Sequence, residues 1–415
     1  MQMMGKTGPA GNDSRTIAFD SEIPIPAFGP EQLIQVSNFA ELVDHLLAAD
    51  GADCTFRHAP PIPLDMVPSK MNFGNNLFGN GRLSEIYRNT SGMTRGVASS
   101  ALHTVAISGQ STSLQSSARG FFEPSVRLMR REGRLSRLPT LEPFYEADSN
   151  GEVRVGRNRP SLELRDEVAV PVCGVGFHNY GHFLYDGLPA ALLYQNIIPK
   201  VPWRLVGGHP AEWQRRLLEG LGLFDRYDVV STPVCFSRVL TSDLLSLHVS
   251  YPTRFIRPVF DTLRFLMGEG TERRGRIVFF SRGSDTTRRV LTNRLEVETA
   301  LAAEGVVIVH PERLTIQDQV ALAASSHFII GEGGAAMANV GFCDPGAAVL
   351  EIQHEDVPDG WTRAACRIMG LRWHLYVAQD DHSAMAAHPD PKPQAMFRID
   401  VSSLLEAVRT IKTTL

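Results

Sequence analysis

The stretch ERLTIQDQVALAASSHFIIGEGGAAMANVGF, residues 312–342, contains the clearest signals for the fold class. Thr315, with Asp318 three residues later, predicts a capped helix over IQDQVALAASS, because the threonine hydroxyl can satisfy a free N–H group of the first turn. HFII then predicts a strand, GEGG a tight turn, and AAMANVGF a second, shorter helix. A helix, a strand, a glycine turn and another helix in this order are typical of a parallel α/β fold.

The same alternation continues on both sides of this stretch. RIVFFS, residues 276–281, is the continuous apolar run of a covered parallel strand. Asn293, with Glu296 after it, predicts the N-cap of a helix that ends at Gly305, and VVIVH follows as a strand. Downstream come the strand AAVLEI, the helix GWTRAACRIMG and the strand LRWHLYV. We therefore predict a parallel sheet with right-handed crossovers and helices on both faces.

An earlier α/β unit begins near residue 165. EVAVPVCGVGF, WRLVGG and DVVS are strand-like, and the segments FHNYGHFLYDGLPA (177–190) and AEWQRRLLEGLG between them are helical. Two such halves predict a ligand cleft between them, at the carboxyl ends of the strands. Residues 68–120 are rich in Gly, Ser and Asn without periodicity, so no element is predicted there.

These differences in sequence pattern and composition divide the chain into four segments. We predict a loose N-terminal arm over 1–30, an N-terminal α/β domain over 31–255, a C-terminal Rossmann-like domain over 256–380, and a C-terminal extension with a terminal helix over 381–415.

The composition narrows the possible partners. The 415 residues are 43% hydrophobic and 21% charged, with a formal net charge of −4 and no basic run, which disfavours nucleic acid and anionic membranes as partners. No signal peptide or apolar run of spanning length is found, so we expect a cytoplasmic protein without an intrinsic membrane anchor. The five scattered cysteines indicate neither a disulfide framework nor a zinc site, and we expect them to be small buried hydrophobes.

The glycines after HFII are the first candidate site. Gly331, Gly333 and Gly334 allow the backbone to come close to a ligand, and the helix beginning near Ala335 would direct its free N–H groups there. This pattern predicts an anion cradle. A tight turn that needs small residues only for packing is the alternative.

Two further candidates lie at the carboxyl ends of other strands. Arg282 is the first residue after RIVFFS, and its planar guanidinium suits a diphosphate. Arg288 and Arg289 either add to this site or lie in a solvated loop. Glu351 ends AAVLEI, where a carboxylate can accept hydrogen bonds from ribose hydroxyls, and a surface glutamate is the alternative.

Polar residues also interrupt the apolar helix of the first half. Asn179, His182 and Asp186 are spaced by three and four residues and must share one face. Either Asn179 caps the helix and His182 bonds Asp186 as structural groups, or the three residues line a site.

The glycines can also be interpreted as the fingerprint of a dinucleotide-binding oxidoreductase that uses NAD or NADP. Gly331, Gly333 and Ala336 fit G-x-G-x-x-A, and Glu351 lies twenty residues after Gly331. Against it, Asp344-Pro345-Gly346 interrupts the following helix, and the pattern falls on a late strand of the sheet.

The order of motifs resembles glycosyltransferase family 61, once catalogued as a domain of unknown function and similar to bacterial capsular polysaccharide biosynthesis proteins. The resemblance covers residues 165–380. It is carried by Ser281-Arg282, Arg289, Asn293, ERLTIQDQVALAASSHFIIG, Gly331 to Asn339, Phe342, Pro345-Gly346, Glu351-Ile352 and NYGHFLYDGLPA.

The resemblance implies a GT-B fold, with two facing Rossmann-like domains and parallel sheets, and sugar transfer with inversion from a nucleotide sugar, expected to be UDP-linked. No metal and no cofactor are implied. The acceptor would be a glycan or a lipid-linked saccharide bound by the N-terminal domain, and contact with the membrane would come through partner proteins. The implied donor-binding residues are Arg282, Arg289, Gly331, Gly333, Gly334, Ala335, Asn339 and Glu351. The implied catalytic residues are His182 or Asp186 as general base, with Asn179 holding the acceptor or the helix.

The chain departs from the family pattern at three positions. Gly333 stands where the family commonly has His, Glu332 adds a negative charge beside it, and Arg294 stands where a Glu usually follows the Asn. These changes predict an altered donor preference, weak activity or none. A third hypothesis is therefore a catalytically silent relative that binds glycans or partner enzymes.

Overall fold

The computed structural model describes backbone and side chains for residues 177–189, 191–192, 203–229, 256–268, 275–283, 289–354, 360–388, 393 and 395–415, and for Glu167, Ala169, Val170 and Val172. Elsewhere it describes only the backbone of strands.

The strands, in chain order, are β1 Arg15–Ile17, β2 Leu33–Val36, β3 Cys54–His58, β4 Asn72–Gly74, β5 Arg95–Ser108, β6 Thr112–Ser117, β7 Gly120–Phe121, β8 Tyr145–Ala147, β9 Val153–Val155, β10 Leu162–Pro171, β11 Trp203–Gly207, β12 Tyr227–Val229, β13 Val234–Ser242, β14 Arg276–Phe280, β15 Arg289–Leu291, β16 Val307–Val309, β17 Ser326–Glu332, β18 Ala348–His354, β19 Arg372–Asp380 and β20 Ala395–Arg398.

The helices are α1 Tyr180–His182, α2 Glu212–Gly220, α3 Ile256–Met267, α4 Arg294–Ala303, α5 Ile316–Ala324, α6 Trp361–Met369, α7 His382–Ala387 and α8 Val401–Lys412. A π-helical segment, Phe183–Gly187, continues α1. Short 3₁₀ helices span Phe224–Arg226, Pro311–Arg313 and Ala335–Phe342. None of the described helices has the length and hydropathy of a bilayer-spanning segment.

The second half forms the parallel sheet that its alternation predicts. Its strands lie in the order β15-β20-β19-β18-β17-β14-β16, with β4 beside β19. Strands β16, β14, β17, β18 and β19 are all parallel, whereas β20 runs antiparallel to β19. The chain changes direction across the sheet between β14 and β17, and in doubly wound folds the carboxyl ends of strands at such a point hold the ligand.

The first half also has a parallel core. Strands β12, β11, β10 and β13 lie side by side in that order, all parallel, so the predicted βαβαβ unit is confirmed. Strand β5 pairs antiparallel with β13. Residues 68–120, where no element was predicted, contain β4 to β6 and the start of β7. Strands β4 and β5 pair with the distant β19 and β13, which replaces the missing local signal, and β6 and β7 extend β5 by pairing with strands next to them in the chain.

Helices cover both faces of the second sheet. Phe279, Phe328 and Ile330 pack in one cluster with Val297 of α4 and Leu404 of α8. The alternate strand residues, among them Val278, Phe280 and Ile329, pack on the other face with α3, α5 and α6. Because successive side chains of a strand point to opposite faces, this division confirms the predicted three-layer α/β arrangement. The second cluster also includes α1 and the first sheet, so one apolar core joins the two halves.

Several local predictions are confirmed and two are corrected. Thr315 Oγ1 accepts a hydrogen bond from Asp318 N, and Gly305 and Gly370 follow their helices with positive φ. Asn293 stands at the start of α4 but does not cap it, because its amide instead bonds the backbone N–H and C=O of Ile399. Strand β17 runs to Glu332, two residues beyond the predicted HFII, so Gly331 lies inside it.

Of the five cysteines, Cys343 and Cys366 lie in the described part of the chain. Both are buried and unpaired, as predicted. Burial raises the pKa of each thiol well above its usual value, which keeps these side chains neutral and unreactive.

Candidate functional site

Two arginines meet the glycine turn at the carboxyl edge of the second sheet. A Cβ added to Gly334 would lie 3.2 Å from Arg282 Nη1 and 3.6 Å from Arg289 Nη2. Gly334 has a φ of 154°, a backbone conformation that residues other than glycine rarely adopt. Arg282 follows β14 and Gly334 follows β17, so both lie at the topological switch point. The side chain of Arg289, the first residue of β15, reaches the same turn. The structure therefore brings Arg282, Arg289, Gly333 and Gly334 together.

A narrow cavity with about 10 Å³ of solvent-accessible space lies at this edge. This cavity, called the arginine cavity below, is lined by Arg282, Arg289, Glu332, Gly333, Ile352, Gln353, His354 and Phe397. Arg288, the other arginine of the predicted loop, lies outside the described residues.

Glu332 does not leave an unopposed negative charge in this cavity. Its side chain is 2% exposed and forms an ion pair with Arg294, whose Nη2 lies 3.1 Å from Glu332 Oε2. Arg294 also donates to Ser281 Oγ at 2.8 Å, and Glu332 Oε1 accepts from the backbone N–H of Arg282 at 3.4 Å. Two of the three departures from the family pattern, Glu332 and Arg294, are thus partners of each other.

The remaining glycines have different surroundings. A Cβ on Gly331 would collide with the sulfur of Met337, so this glycine permits close packing of β17 on the 3₁₀ helix Ala335–Phe342. A Cβ on Gly333 would meet Glu351 Oε1 and Ile352 O at 3.5 Å, which is an ordinary contact. Among Gly331, Gly333 and Gly334, it is Gly333 where the structure has room for the first atom of a side chain.

The helix predicted at Ala335 is present as a 3₁₀ helix, and Asn339 lies within it. Asn339 is fully buried, donates to Gln319 Oε1 and Ala336 O at 3.1 Å, and accepts from the hydroxyl of Tyr180 at 2.8 Å. The Asn339 amide therefore forms its hydrogen bonds inside the protein. Its contact with a nucleotide-sugar donor stays a prediction.

Glu351 is also directed into the protein. It is fully buried, and its two carboxylate oxygens accept hydrogen bonds from Thr362 Oγ1 at 2.8 Å and Trp373 Nε1 at 2.9 Å. The surface-glutamate alternative is wrong. Contact with a ribose stays a prediction, and these hydrogen bonds do not favour it.

In the first half, the three polar residues of the helix form one connected group. Asn179 Oδ1 accepts from the backbone N–H of His182 at 3.2 Å, and His182 Nδ1 lies 2.8 Å from Asp186 Oδ2. Their side chains are 12% exposed for His182 and 9% exposed for Asp186. The helix changes from α to π immediately after His182, and π segments frequently occur at functional sites.

This helix contacts the 3₁₀ helix that follows the glycine turn. Tyr185 donates to the carbonyl of Ala338 at 3.1 Å, and Tyr180 donates to Asn339. Burial raises the pKa of both tyrosines, so each remains a neutral hydroxyl that can donate. The elements that carry the histidine group and the arginine cavity are therefore in direct contact.

Sequence reasoning missed Gln353, His354 and Asp380. His354 ends β18 and Asp380 ends β19, and His354 Nδ1 lies 3.5 Å from Asp380 Oδ1. Both strands extend beyond the predicted AAVLEI and LRWHLYV. The polar residues within three positions after these apolar runs were the signal that could have identified them.

No group of three or more His, Cys, Asp and Glu side chains suited to a metal ion occurs among the described residues. Two of the side chains that line the arginine cavity, Arg282 and Arg289, are guanidinium groups, which suit a bound anion.

Residues 180–350 match the family model described as Glycosyltransferase 61. No curated protein matches the chain significantly. The matched segment begins at Tyr180 and therefore includes His182, Asp186, Arg282 and the turn 331–334. This match over residues 180–350 supports the family that the motifs predicted.

Proposed function

We propose that this glycosyltransferase inverts the configuration of the sugar that it transfers from a nucleotide sugar, UDP-linked, to a glycan or lipid-linked saccharide. The observation that carries the proposal is the convergence of Arg282 and Arg289 on Gly334. A diphosphate leaving group needs cations and N–H donors where its charge develops, and two guanidinium groups at a glycine turn supply both.

The reaction is a single displacement. The acceptor hydroxyl oxygen attacks the anomeric carbon, the bond from that carbon to the phosphate oxygen breaks, and the nucleoside diphosphate leaves with the bonding electrons. In the donor-side half, Arg282 and Arg289 would neutralise this charge, so we propose that neither a metal nor a cofactor is needed. A GT-B arrangement, with the acceptor bound by the first half, is part of the proposal.

The general base takes the proton of the acceptor hydroxyl. His182 is our candidate, because Asp186 lies 2.8 Å from its Nδ1 and can hold the ring in position. Asn179 supports the same turn through its hydrogen bond to the His182 backbone. We place the protein in the cytoplasm, with lipid-linked acceptors reached through partner proteins.

The dinucleotide interpretation is less favoured. Its fingerprint requires Gly331 near a pyrophosphate and Glu351 near a ribose. Gly331 instead packs on Met337, and both oxygens of Glu351 accept hydrogen bonds from Thr362 and Trp373.

The test is a thermal-shift panel with UDP, GDP, CDP, several UDP-sugars and NAD, each with manganese and with EDTA. A nucleoside diphosphate at a hundred times its Kd should stabilise the protein by about 2.7 kcal/mol, equally in EDTA. Arg282→Ala should remove this effect. Arg216→Ala, on the exposed face of α2, is the matched control and should retain it.

Three results would contradict the proposal. Stabilisation by NAD alone would restore the dinucleotide interpretation. Stabilisation only with manganese would overturn metal independence. No stabilisation by any nucleotide would favour the catalytically silent relative.

A further inference from the structure

A groove with about 500 Å³ of accessible space lies at the outer edge of the second sheet. It is formed by α5 and by β16, the last strand in the order of that sheet. A space of this size is within the usual range of small-molecule sites. This edge groove is lined by Arg276, Ile308, Val309, His310, Arg313, Leu314, Asp318, Ala321 and Leu322, none of which lines the arginine cavity.

The edge groove has an apolar floor. Val309 and Leu322 pack on the core cluster that contains α5, and Ile308 packs on the cluster of the other face. The part of each side chain that stays exposed borders the groove, so an apolar ligand would remove hydrophobic surface from water there. Five of the nine lining residues are hydrophobic and half-buried, namely Ile308, Val309, Leu314, Ala321 and Leu322.

The charged residues lie at the two ends of the edge groove. His310 and Arg313 lie between the end of β16 and the start of α5, and Asp318 in the first turn of α5 adds a carboxylate to this end. Arg276 lies at the opposite end. It is the first residue of β14, which runs parallel to β16 and has its third residue opposite the first residue of β16.

Arg276 is the cation of the edge groove without a counter-charge. Its half-buried side chain forms no hydrogen bond or ion pair with any residue that the structure describes. Arg313 and His310, in contrast, share their end with Asp318, and Glu312 Oε1 lies 3.9 Å from His310 Nδ1. A guanidinium group beside apolar surface attracts an acid group and can bind a carboxylate or a phosphate through two parallel hydrogen bonds.

We propose that the edge groove binds a small amphipathic anion, whose acid group is held by Arg276 and whose hydrocarbon body lies along β16 and α5. The acid group is a carboxylate or a phosphate. The site is separate from the proposed site of sugar transfer, and the inference does not rest on the proposed function.

Calorimetry on the full chain with butanoate, octanoate, octyl phosphate and octanamide tests this site. Octanoate should bind more tightly than butanoate, by about two- to fourfold for each methylene that the groove covers. Octanamide has the same chain length without the charge, so its affinity should be about tenfold lower than that of octanoate. The comparison of octanoate with octyl phosphate identifies the preferred acid group.

Three variants locate the bound ligand. Arg276→Gln should weaken octanoate about tenfold and leave octanamide unchanged, because only the acid group loses its partner. Ala321→Phe places a ring in the groove and should weaken both ligands about tenfold or more. Arg216→Gln, on the exposed face of α2, is the matched control and should change neither Kd. Ala321→Phe keeps the test decisive if Arg276→Gln does not fold.

Three results would overturn the inference. They are octanoate that binds no better than octanamide, octanoate affinity that is unchanged in both Arg276→Gln and Ala321→Phe, and absence of binding by all four ligands. UDP should bind Ala321→Phe as it binds the wild-type protein, since the edge groove shares no lining residue with the arginine cavity. Failure of UDP to bind the wild-type protein would overturn the proposed function alone.

Discussion

His182 and Asp186 are the residues on which the proposed chemistry depends most. They are hydrogen-bonded at the point where α1 becomes π-helical, and the Asn179 side chain holds the first turn in place. The hydrogen bond between His182 and Asp186 is equally expected if the two residues have only a structural role. Only a functional readout therefore separates the two roles.

We expect His182→Ala and Asp186→Ala each to abolish measurable transfer while the Kd of the nucleotide stays unchanged. Loss of a general base lowers rates by about 10²- to 10⁴-fold. Asn179→Ala should instead cost about 1 kcal/mol of unfolding free energy, as loss of an N-cap does. The measurements are kcat, nucleotide Kd and urea unfolding for the three variants. Full transfer activity in both His182→Ala and Asp186→Ala would contradict the assignment of the general base.

The pair formed by Glu332 and Arg294 gives a second prediction. Glu332→Gln should lower the free energy of unfolding by about 3 to 5 kcal/mol, because it leaves the Arg294 guanidinium without its buried counter-charge. Replacing both residues, as Glu332→Gln with Arg294→Met, should recover part of this loss. Arg216→Gln, which breaks an exposed pair on α2, should cost about 1 kcal/mol or less in the same urea titration. Equal losses in the two single variants would show that Glu332 is not a buried ion-pair partner.

Gly333 permits a test of the departure from the family pattern. Its φ is not positive, and an added Cβ would make only ordinary contacts, one of them with Glu351 Oε1 at 3.5 Å. We expect Gly333→His to fold and to raise kcat, because the new imidazole would lie beside a carboxylate that can orient it. Gly333→Ala is the control for volume alone. An unchanged or lower kcat in Gly333→His would show that the missing histidine does not limit this protein.

At the scale of secondary structure, the 3₁₀ helix Ala335–Phe342 is the element that most of the site depends on. It follows the glycine turn and packs against α1, α3, α5 and α6. Two glycines allow this close packing. Gly331, in β17, leaves room for Met337, and Gly341, within the helix, leaves room for the ring of Phe260. The tighter 3₁₀ winding fits a segment of eight residues with neighbours on several sides.

Gly341→Ala should therefore destabilise the protein by about 1 to 3 kcal/mol, since a Cβ would overlap the rigid Phe260 ring. Gly333→Ala, where an added Cβ meets only ordinary contacts, should change the free energy of unfolding by less than about 0.5 kcal/mol. Both values come from urea titrations. Similar values for the two variants would mean that α3 is free to move away from this helix.

At the scale of the whole molecule, the two halves share one apolar core and two tyrosine hydrogen bonds. Tyr180 lies in α1 and Tyr185 in the π-helical segment that continues it. Their hydroxyls donate hydrogen bonds to Asn339 and Ala338, in the 3₁₀ helix after the glycine turn. The position of the His182 group relative to the arginine cavity depends on these contacts.

Tyr180→Phe should cost about 1 kcal/mol of unfolding free energy and should also lower kcat, because it leaves the buried Asn339 oxygen without this donor and loosens the contact between the halves. Tyr376→Phe is the matched control. It removes a hydroxyl that donates to the carbonyl of Asp400 at 3.2 Å, within the second half. We expect the control to lower stability and leave kcat unchanged. Equal effects on kcat would mean that the tyrosine contact does not set the site.

Much of the fold was predictable because its signals are local. Thr315 with Asp318, Gly305 and Gly370 act within one helical turn, and the alternation of apolar strands with helices specifies a covered parallel sheet. The motif order was specific enough to predict the family, which the match over residues 180–350 confirms. The position of Arg282 after its strand and of the glycines after theirs placed both at one sheet edge.

The tertiary structure alone decided the partners of the polar groups. Glu332 pairs with Arg294, Glu351 bonds Thr362 and Trp373, and Asn293 bonds Ile399, all across gaps that no local pattern spans. His354 and Asp380 meet because β18 and β19 are neighbouring parallel strands, in which His354 lies opposite Ala378, two residues before Asp380. A chain pattern shows which side of a strand a residue occupies, but a hydrogen-bond partner depends on strand order, register and packing over the whole sheet.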